Sequence, residues 1–474
     1  MPNVRDVAEH NQAEGRSAPW TPRQGTDSLD PRPCSMNRRW FMALGLGLGL
    51  TATGVRAAGT PAKNKAGALV ANSEADQTAA LQATIDDAAA RRVPVVLPAG
   101  VFKTRSLVLR PGSVVSGAGR LTVLRFVGTG AVVSAKGAGG VSLSRLSFDG
   151  GLRMVGIGGA LLAFEGCAEL ELASLSVAGS SGNGIAIAGS TGRVTGCGIS
   201  KIAKAALFSL DSTLLISGNT ISDCGNNGIL VWRSTASEDG SQVVANAIAA
   251  VRSDDGGTGQ NGNGVNVYRG GSVEVSENRI TDCAYSAIRG NAASNISMTG
   301  NTCQRIGEVA LYSEFGFSGA VIANNIVDGA ATGVSVTNFN EGGRLAVVQG
   351  NLIRNLVRRE HEPDDKRGEG IAVEADTLVA GNTIEGAATC GILLGWGSYM
   401  RDVSATGNLI RGCRIGVLVS SDTGAGAALI SGNLISGARD GAIRAHEKGR
   451  VFGPDLAKGA ATTGRVTISG NSVG

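Results

Sequence analysis

A five-residue phrase centred on Asn recurs down the chain and limits what the chain can become. Ser217-Gly218-Asn219-Thr220-Ile221 returns as Thr299-Gly300-Asn301-Thr302-Cys303, Gln349-Gly350-Asn351-Leu352-Ile353 and Ala380-Gly381-Asn382-Thr383-Ile384. It returns again as Thr406-Gly407-Asn408-Leu409-Ile410 and Ser431-Gly432-Asn433-Leu434-Ile435, with weaker copies centred on Asn246, Asn278, Asn324 and Asn471. Cys197 takes the Asn place in an early copy. Spacings of 22 to 38 residues with a fixed core are the mark of a solenoid.

Between successive Asn phrases lies a second one, a small residue followed by an apolar-x-apolar alternation. Gly228-Ile229-Leu230-Val231, Gly264-Val265-Asn266-Val267, Gly370-Ile371-Ala372-Val373 and Gly416-Val417-Leu418-Val419 are examples. Alternation with β-branched inward positions reads as strand, and Gly or Asn at the corners reads as turn. No stretch within the repeats has a helical period long enough for a crossover helix. The coils must therefore stack in parallel, about 4.8 Å apart. A column of Asn can then pass amide hydrogen bonds from coil to coil. The fold expected is all-β, a right-handed single-stranded parallel β-helix. With 72 Gly in 474 residues and only 4% aromatic residues, a long thin aliphatic core in one elongated domain suits the composition.

Residues 1–35 are polar and aperiodic. Asn37-Arg38-Arg39-Trp40-Phe41-Met42 follows, then an apolar run from Ala43 to Leu50 and a small-residue stretch ending near Ala57. Charge, short apolar run and small residues make a secretory signal, and the paired arginines resemble the twin-arginine export signal. The run is too short to span a bilayer. Met36, just before the motif, is the expected true start. Residues 1–57 are thus read as a dispensable extension plus signal, 58–72 as a linker and 73–474 as the β-helix. Export by the twin-arginine machinery implies a periplasmic or secreted protein. Removing residues 1–57 takes away seven Arg and five acids and leaves a net charge of +2, with no dense basic run. That pattern speaks against a nucleic-acid partner.

Seven cysteines follow Cys34. Cys224, Cys283 and Cys413 each stand three places after an inward Ile, and Cys303 fills an Ile place. Cys224 and Cys283 lie two coils apart, too far to bridge, so buried free thiols acting as small hydrophobes are expected. No Cys-x-x-Cys or His-rich spacing points to a metal, and no cofactor is expected. The one helical segment is 73–92, with Ser73 or Asp76 as cap and Leu81, Ile85, Ala88 and Ala89 as apolar face. A helix lid over the first coil is expected, because a solenoid end exposes core and unpaired strand. Gly117-Ala118-Gly119 reads as a turn between coils, since no helix follows it.

With its cap, its Leu97-Pro98-Ala99-Gly100 strand and its Gly-Asn-x-Ile coils, the chain resembles the pectin-lyase-like superfamily of right-handed β-helices. It is especially similar to a family of twin-arginine-exported repeat proteins. The resemblance covers residues 73–474 and implies fold rather than chemistry. The superfamily holds polysaccharide lyases, glycoside hydrolases, uronan epimerases and non-catalytic adhesins. The polygalacturonase blocks are absent apart from Asp254-Asp255, and so is the alginate-epimerase signature.

Aligning the strands on their inward apolar residue exposes two outward columns. One reads Leu230, Asn266, Arg289, Tyr312, Ser335, Ala372, Leu393, Leu418 and Arg444. The other reads Trp232, Tyr268, Asn291, Glu314, Thr337, Glu374, Gly395, Ser420 and His446. Both belong to one outer face. Aromatic rings beside amides, Arg and carboxylates suit a sugar polymer, so Trp232, Asn266, Tyr268, Asn291 and Thr337 are candidate substrate-binding residues. Arg289, Tyr312, Glu314 and Glu374 are the candidate catalytic residues. Uronate elimination or epimerisation would use Arg289 and Tyr312. Inverting hydrolysis would use Glu314 and Glu374, two coils or roughly 9–10 Å apart. A non-catalytic carbohydrate-binding or structural envelope protein is the third reading. In its plainest form Arg289 and Glu314 are a surface ion pair worth under about 1 kcal/mol. His446 reads as a surface residue. Insertions at 249–263 and 358–368 flank this face like groove walls, and Asp254, Asp255, Asp364 and Asp365 are a weak Ca²⁺ candidate. The last phrase stops at Gly474, so its edge must be covered by 451–463, by a partner or by a second copy, as a homo-oligomer.

Overall fold

A computed structural model describes residues 69–156, 158–257, 259–337, 339–359, 367–458 and 465–474. The export segment and its paired arginines, His361, Asp364 and Asp365 lie outside them. Three sheets of fifteen strands each make up the coils. The first sheet runs from Val95–Val96 to Val466–Ser469, the second from Gly100–Thr104 to Ser472–Val473. The third runs from Leu107–Leu109 to Arg450–Phe452. The chain visits them in that order once per coil, so each strand pairs in parallel with its equivalent one coil away. The exception is the hairpin in which Arg450–Phe452 folds back antiparallel on Ile443–Glu447. The architecture is the right-handed parallel β-helix that the repeats predict.

Register follows the phrase. In the second sheet Ile199, Ile221, Ile248, Ile280, Cys303, Val327, Ile353, Ile384, Ile410 and Ile435 stack in one inward column. Burying each Ile contributes about 1.5–3 kcal/mol, which makes the aliphatic interior the main source of stability. It does not by itself fix which residue faces in, and a slip of one residue would reverse every side chain. The Asn column at the corner between the first and second sheets supplies that choice. From Asn219 to Asn471 the backbone N–H of each Asn donates to the next side-chain Oδ1 at 2.8–3.0 Å. Each amide Nδ2 donates to the same oxygen at 2.9–3.0 Å. Cys197 begins the column by donating its N–H to Asn219 Oδ1 at 2.9 Å.

One rung differs from expectation. Asn325, not Asn324, is the ladder residue, bonded to Asn301 and Asn351. Asn324 is exposed at φ 58°, in the place that Gly218 and Gly300 fill elsewhere. Asn tolerates that left-handed conformation, so an Asn-Asn pair hides which member turns inward.

The helix α1, Thr78–Arg91, starts later than its periodicity indicates. Ser73 instead forms a bridge to Phe102, and Asp76 Oδ1 accepts the Thr78 N–H at 2.9 Å. Leu81, Ile85 and Ala88 are buried against the first coils, while Ala89 is only half-buried. Gly117-Ala118-Gly119 is a turn between coils, but a one-turn 3₁₀ helix, Gly119–Leu121, follows it before the strand Thr122–Phe126, where no helix was expected. All seven described cysteines are free and buried. At the far end Leu456 and Ala457 pack against the core beside Ile468. No helix among the described residues is long and apolar enough to cross a membrane.

Candidate functional site

Both outward columns of the third sheet keep the register read from the sequence. Leu230, Asn266, Arg289, Tyr312, Ser335, Ala372, Leu393, Leu418 and Arg444 are successive partners. Trp232, Tyr268, Asn291 and Glu314 are too. At the far end the second column turns inward: Ser420 is buried, and His446 is 0% exposed, not a surface residue. His446 lies in the first strand of the terminal hairpin, paired with Val451, and Trp396 stands beside it, ring centroids 5.9 Å apart.

Arg289 and Glu314 meet across neighbouring coils, Nε to Oε1 at 2.5 Å. Their side chains are 9% and 3% exposed, so this is no surface pair. Asn291 Nδ2 donates to the same carboxylate oxygen at 3.0 Å. The Arg289 guanidinium also lies 5.1 Å from the Tyr312 ring centre. Burial pushes the Glu314 carboxyl above the ordinary glutamate range, against the opposing pull of Arg289 and of a hydrogen bond from Tyr312. Burial, reinforced by the Glu314 charge, likewise holds the Tyr312 phenol well above its usual value. Tyr312 therefore keeps its phenolic proton at neutral pH. Thr337 is half-buried and hydrogen-bonds Tyr312. Glu374 is half-buried two coils beyond Glu314, with Thr337 between them.

Trp232 and Tyr268 extend the face in the other direction. Trp232 sits edge-on between Phe208 and Tyr268, at centroid distances of 5.4 and 5.5 Å. Arg269 covers the Tyr268 ring at 4.8 Å. Phe208, one coil earlier in the Leu230 column, was within reach of the sequence reading, which began a coil too late. Glu308 was not. It occupies the corner before its strand, where Tyr285 and Ala331 stand in adjacent coils, and alternation says nothing about corners.

The two insertions arise at one corner, between the second and third sheets. The first folds toward the face: Tyr285 Oη donates to the Gly257 carbonyl at 2.8 Å, and a methyl group built on Gly259 would fall 1.6 Å from Arg289 Nη1. From the second, Arg359 stacks 5.3 Å from the Tyr285 ring centre, and Arg359 and Arg367 lie 3.6 and 3.4 Å from Glu308 Oε1. Asp255 is taken by Lys204 at 2.6 Å and Asn226 at 2.7 Å, and Asp254 by Arg252 at 3.2 Å. Groups of the chain thus hold Asp254 and Asp255, while Asp364 and Asp365 of the same Ca²⁺ expectation lie outside the described residues.

A family model described as "NosD: Periplasmic copper-binding protein (NosD)" matches residues 163–304. Copper sites draw on Cys, Met and His donors. In that stretch the Cys thiols and Met298 are buried in core columns, and burial pushes Cys197 up to about 11 and Cys224 up to about 12. No group of three or more His, Cys, Asp or Glu among the described residues could hold a metal ion, so these coils do not fit copper. No curated protein matches the sequence. Among solved structures, the N-terminal fragment of bacteriophage phi29 gene product 12 is 18% identical with a TM-score of 0.49, over 83% of this chain and 68% of that one. The pre-mature form of that protein is 15% identical with a TM-score of 0.44, over 80% and 56%. The catalytic unit of a GH87 α-1,3-glucanase from Streptomyces thermodiastaticus is 14% identical with a TM-score of 0.40, over 85% and 66%. The chain thus spans less than two thirds of the latter two. Likeness at these levels concerns fold alone.

Proposed function

We propose that this is a protein exported by the twin-arginine route that binds an acidic polysaccharide across the outer face of the third sheet. It processes the polymer by uronate lyase or epimerase chemistry. The observation that carries the reading is the buried Arg289–Glu314 pair beside Tyr312, standing at the end of the Phe208–Trp232–Tyr268 ring series. Arg289 neutralises the uronate carboxylate and so acidifies the neighbouring C–H. Glu314, its proton affinity raised by burial, accepts that proton, and the phenol of Tyr312 delivers one to the leaving oxygen or to the opposite ring face.

The mature chain is to be incubated with acidic and neutral polysaccharides while unsaturated products, reducing ends and deuterium uptake from solvent are followed. Unsaturated product or deuterium uptake on a uronan is expected, and both are lost in Tyr312→Phe. Reducing ends without unsaturation, lost in both Glu314→Gln and Glu374→Gln, would replace the reading with an inverting hydrolase. Retention of a polymer without any turnover would leave a binding protein.

A further inference from the structure

The face is covered at its centre. Asn266, Arg289 and Glu314 project from the outer side of a sheet and Glu308 stands at the corner beside it, yet they are only 4%, 8%, 2% and 7% exposed. The backbone at Gly259 lies directly over Arg289 Nη1, at φ +126°, a position no side chain could share. From the other insertion, Arg359 reaches over Tyr285 to Glu308. Beneath this cover, Arg289 Nη1, Asn266 Oδ1 and Glu308 Oε2 are buried without a hydrogen-bond partner in the protein. Folded proteins leave few such atoms unsatisfied, and here one cationic donor and two acceptors stand together. Asn266 is the register neighbour of Arg289, and Glu308 stands at the corner that opens the next strand.

A carboxylate flanked by hydroxyls answers that set. A unit inside a glycan spends hydroxyls on both its links, whereas a terminal unit keeps one more to donate. A roof over Arg289 also denies passage to a continuous strand. The half-buried rings of Tyr268, Trp232 and Phe208 lead away coil by coil, in steps of about 4.8 Å. We propose that the covered cluster is a terminal subsite, which seats the end unit of an acidic glycan while the rest of the chain lies along those rings. This deepens the uronate reading and rests on it.

The test uses the full mature chain and uronan fractions of graded length, with stoichiometry read by titration calorimetry. About one protein per glycan chain is expected at every length. Binding that rises in proportion to length overturns the terminal subsite and leaves the saccharide reading standing. Failure to bind any fraction removes both. Gly259→Ala is expected to weaken binding about tenfold or more by driving a methyl group against Arg289, and Tyr268→Ala to weaken it while the stoichiometry stays fixed. Unchanged affinity in both variants overturns the placement.

Discussion

Asn351 lies in the middle of the Asn column, and replacing it with Ala tests what the column does. Its Oδ1 accepts from Asn325 N at 3.0 Å and from Asn325 Nδ2 at 2.9 Å. Its own Nδ2 donates to the Ile322 carbonyl at 3.0 Å and to Asn382 Oδ1 at 2.9 Å. Asn351→Ala keeps the backbone bond from Asn351 N to Asn382 Oδ1. It orphans the Asn325 N–H and one of its two amide hydrogens, in a place water does not reach. An unmade buried bond costs about 1–3 kcal/mol, so two orphaned donors predict a loss of about 2–6 kcal/mol. Asn471 makes the equivalent bonds to Asn433, but it is half-buried, where water can replace them. Asn471→Ala should therefore cost less than about 1 kcal/mol. Urea unfolding followed by far-ultraviolet circular dichroism compares the two, and hydrogen exchange in the flanking coils shows whether the interior loss is local. Equal shifts of the two variants, or an interior loss below about 1 kcal/mol, would refute the assignment of register to this column.

Other consequences follow from the same geometry. Arg289→Ala is expected to abolish turnover and also to destabilise the fold by about 3–5 kcal/mol, because it leaves Glu314 buried without its partner. Arg289→Met with Glu314→Gln should recover most of the melting temperature and none of the turnover. A single variant that melts like the wild type would contradict the buried pair. The hydrogen bond from Arg401 holds the Asp376 carboxyl below its ordinary value of 3.8. The folded state thus binds that proton less readily than the unfolded chain. The resulting stability is present above 3.8 and is lost as pH falls through the depressed value. Asp376→Asn should flatten the acid limb of a melting-temperature profile and change neutral stability by under about 1 kcal/mol. The seven buried thiols should resist a maleimide in the native protein and react in urea, as mass spectrometry would show. Rapid native labelling at any one of them would mean an open coil.

The columns were legible because a strand period of two and a phrase repeated at every corner leave one alignment. That alignment placed Arg289, Tyr312 and Glu314 on adjacent coils of one face. What it could not give was depth. Arg289 and Glu314 looked like surface groups because the residues over this face, Gly259 and Arg359, lie in aperiodic insertions that carry no signal of where they fold. His446 was misread because the strand that carries it ends the regular coils and pairs with a returning strand that the repeat does not announce. Glu308 escaped because corner residues obey no alternation, and Asn324 displaced Asn325 because either residue of the pair suits the turn.

Because the coils from Cys197 to Asn471 are fastened at one vertex, the connections at the other two can change length without disturbing the fastening. The segments reaching over Arg289 and Glu308 both grow from such a free vertex. They can be lengthened, shortened or exchanged while the strands beneath stay where they are. Selection can thus alter what the protein accepts by editing loops alone, and the framework need not be redesigned to admit a new guest.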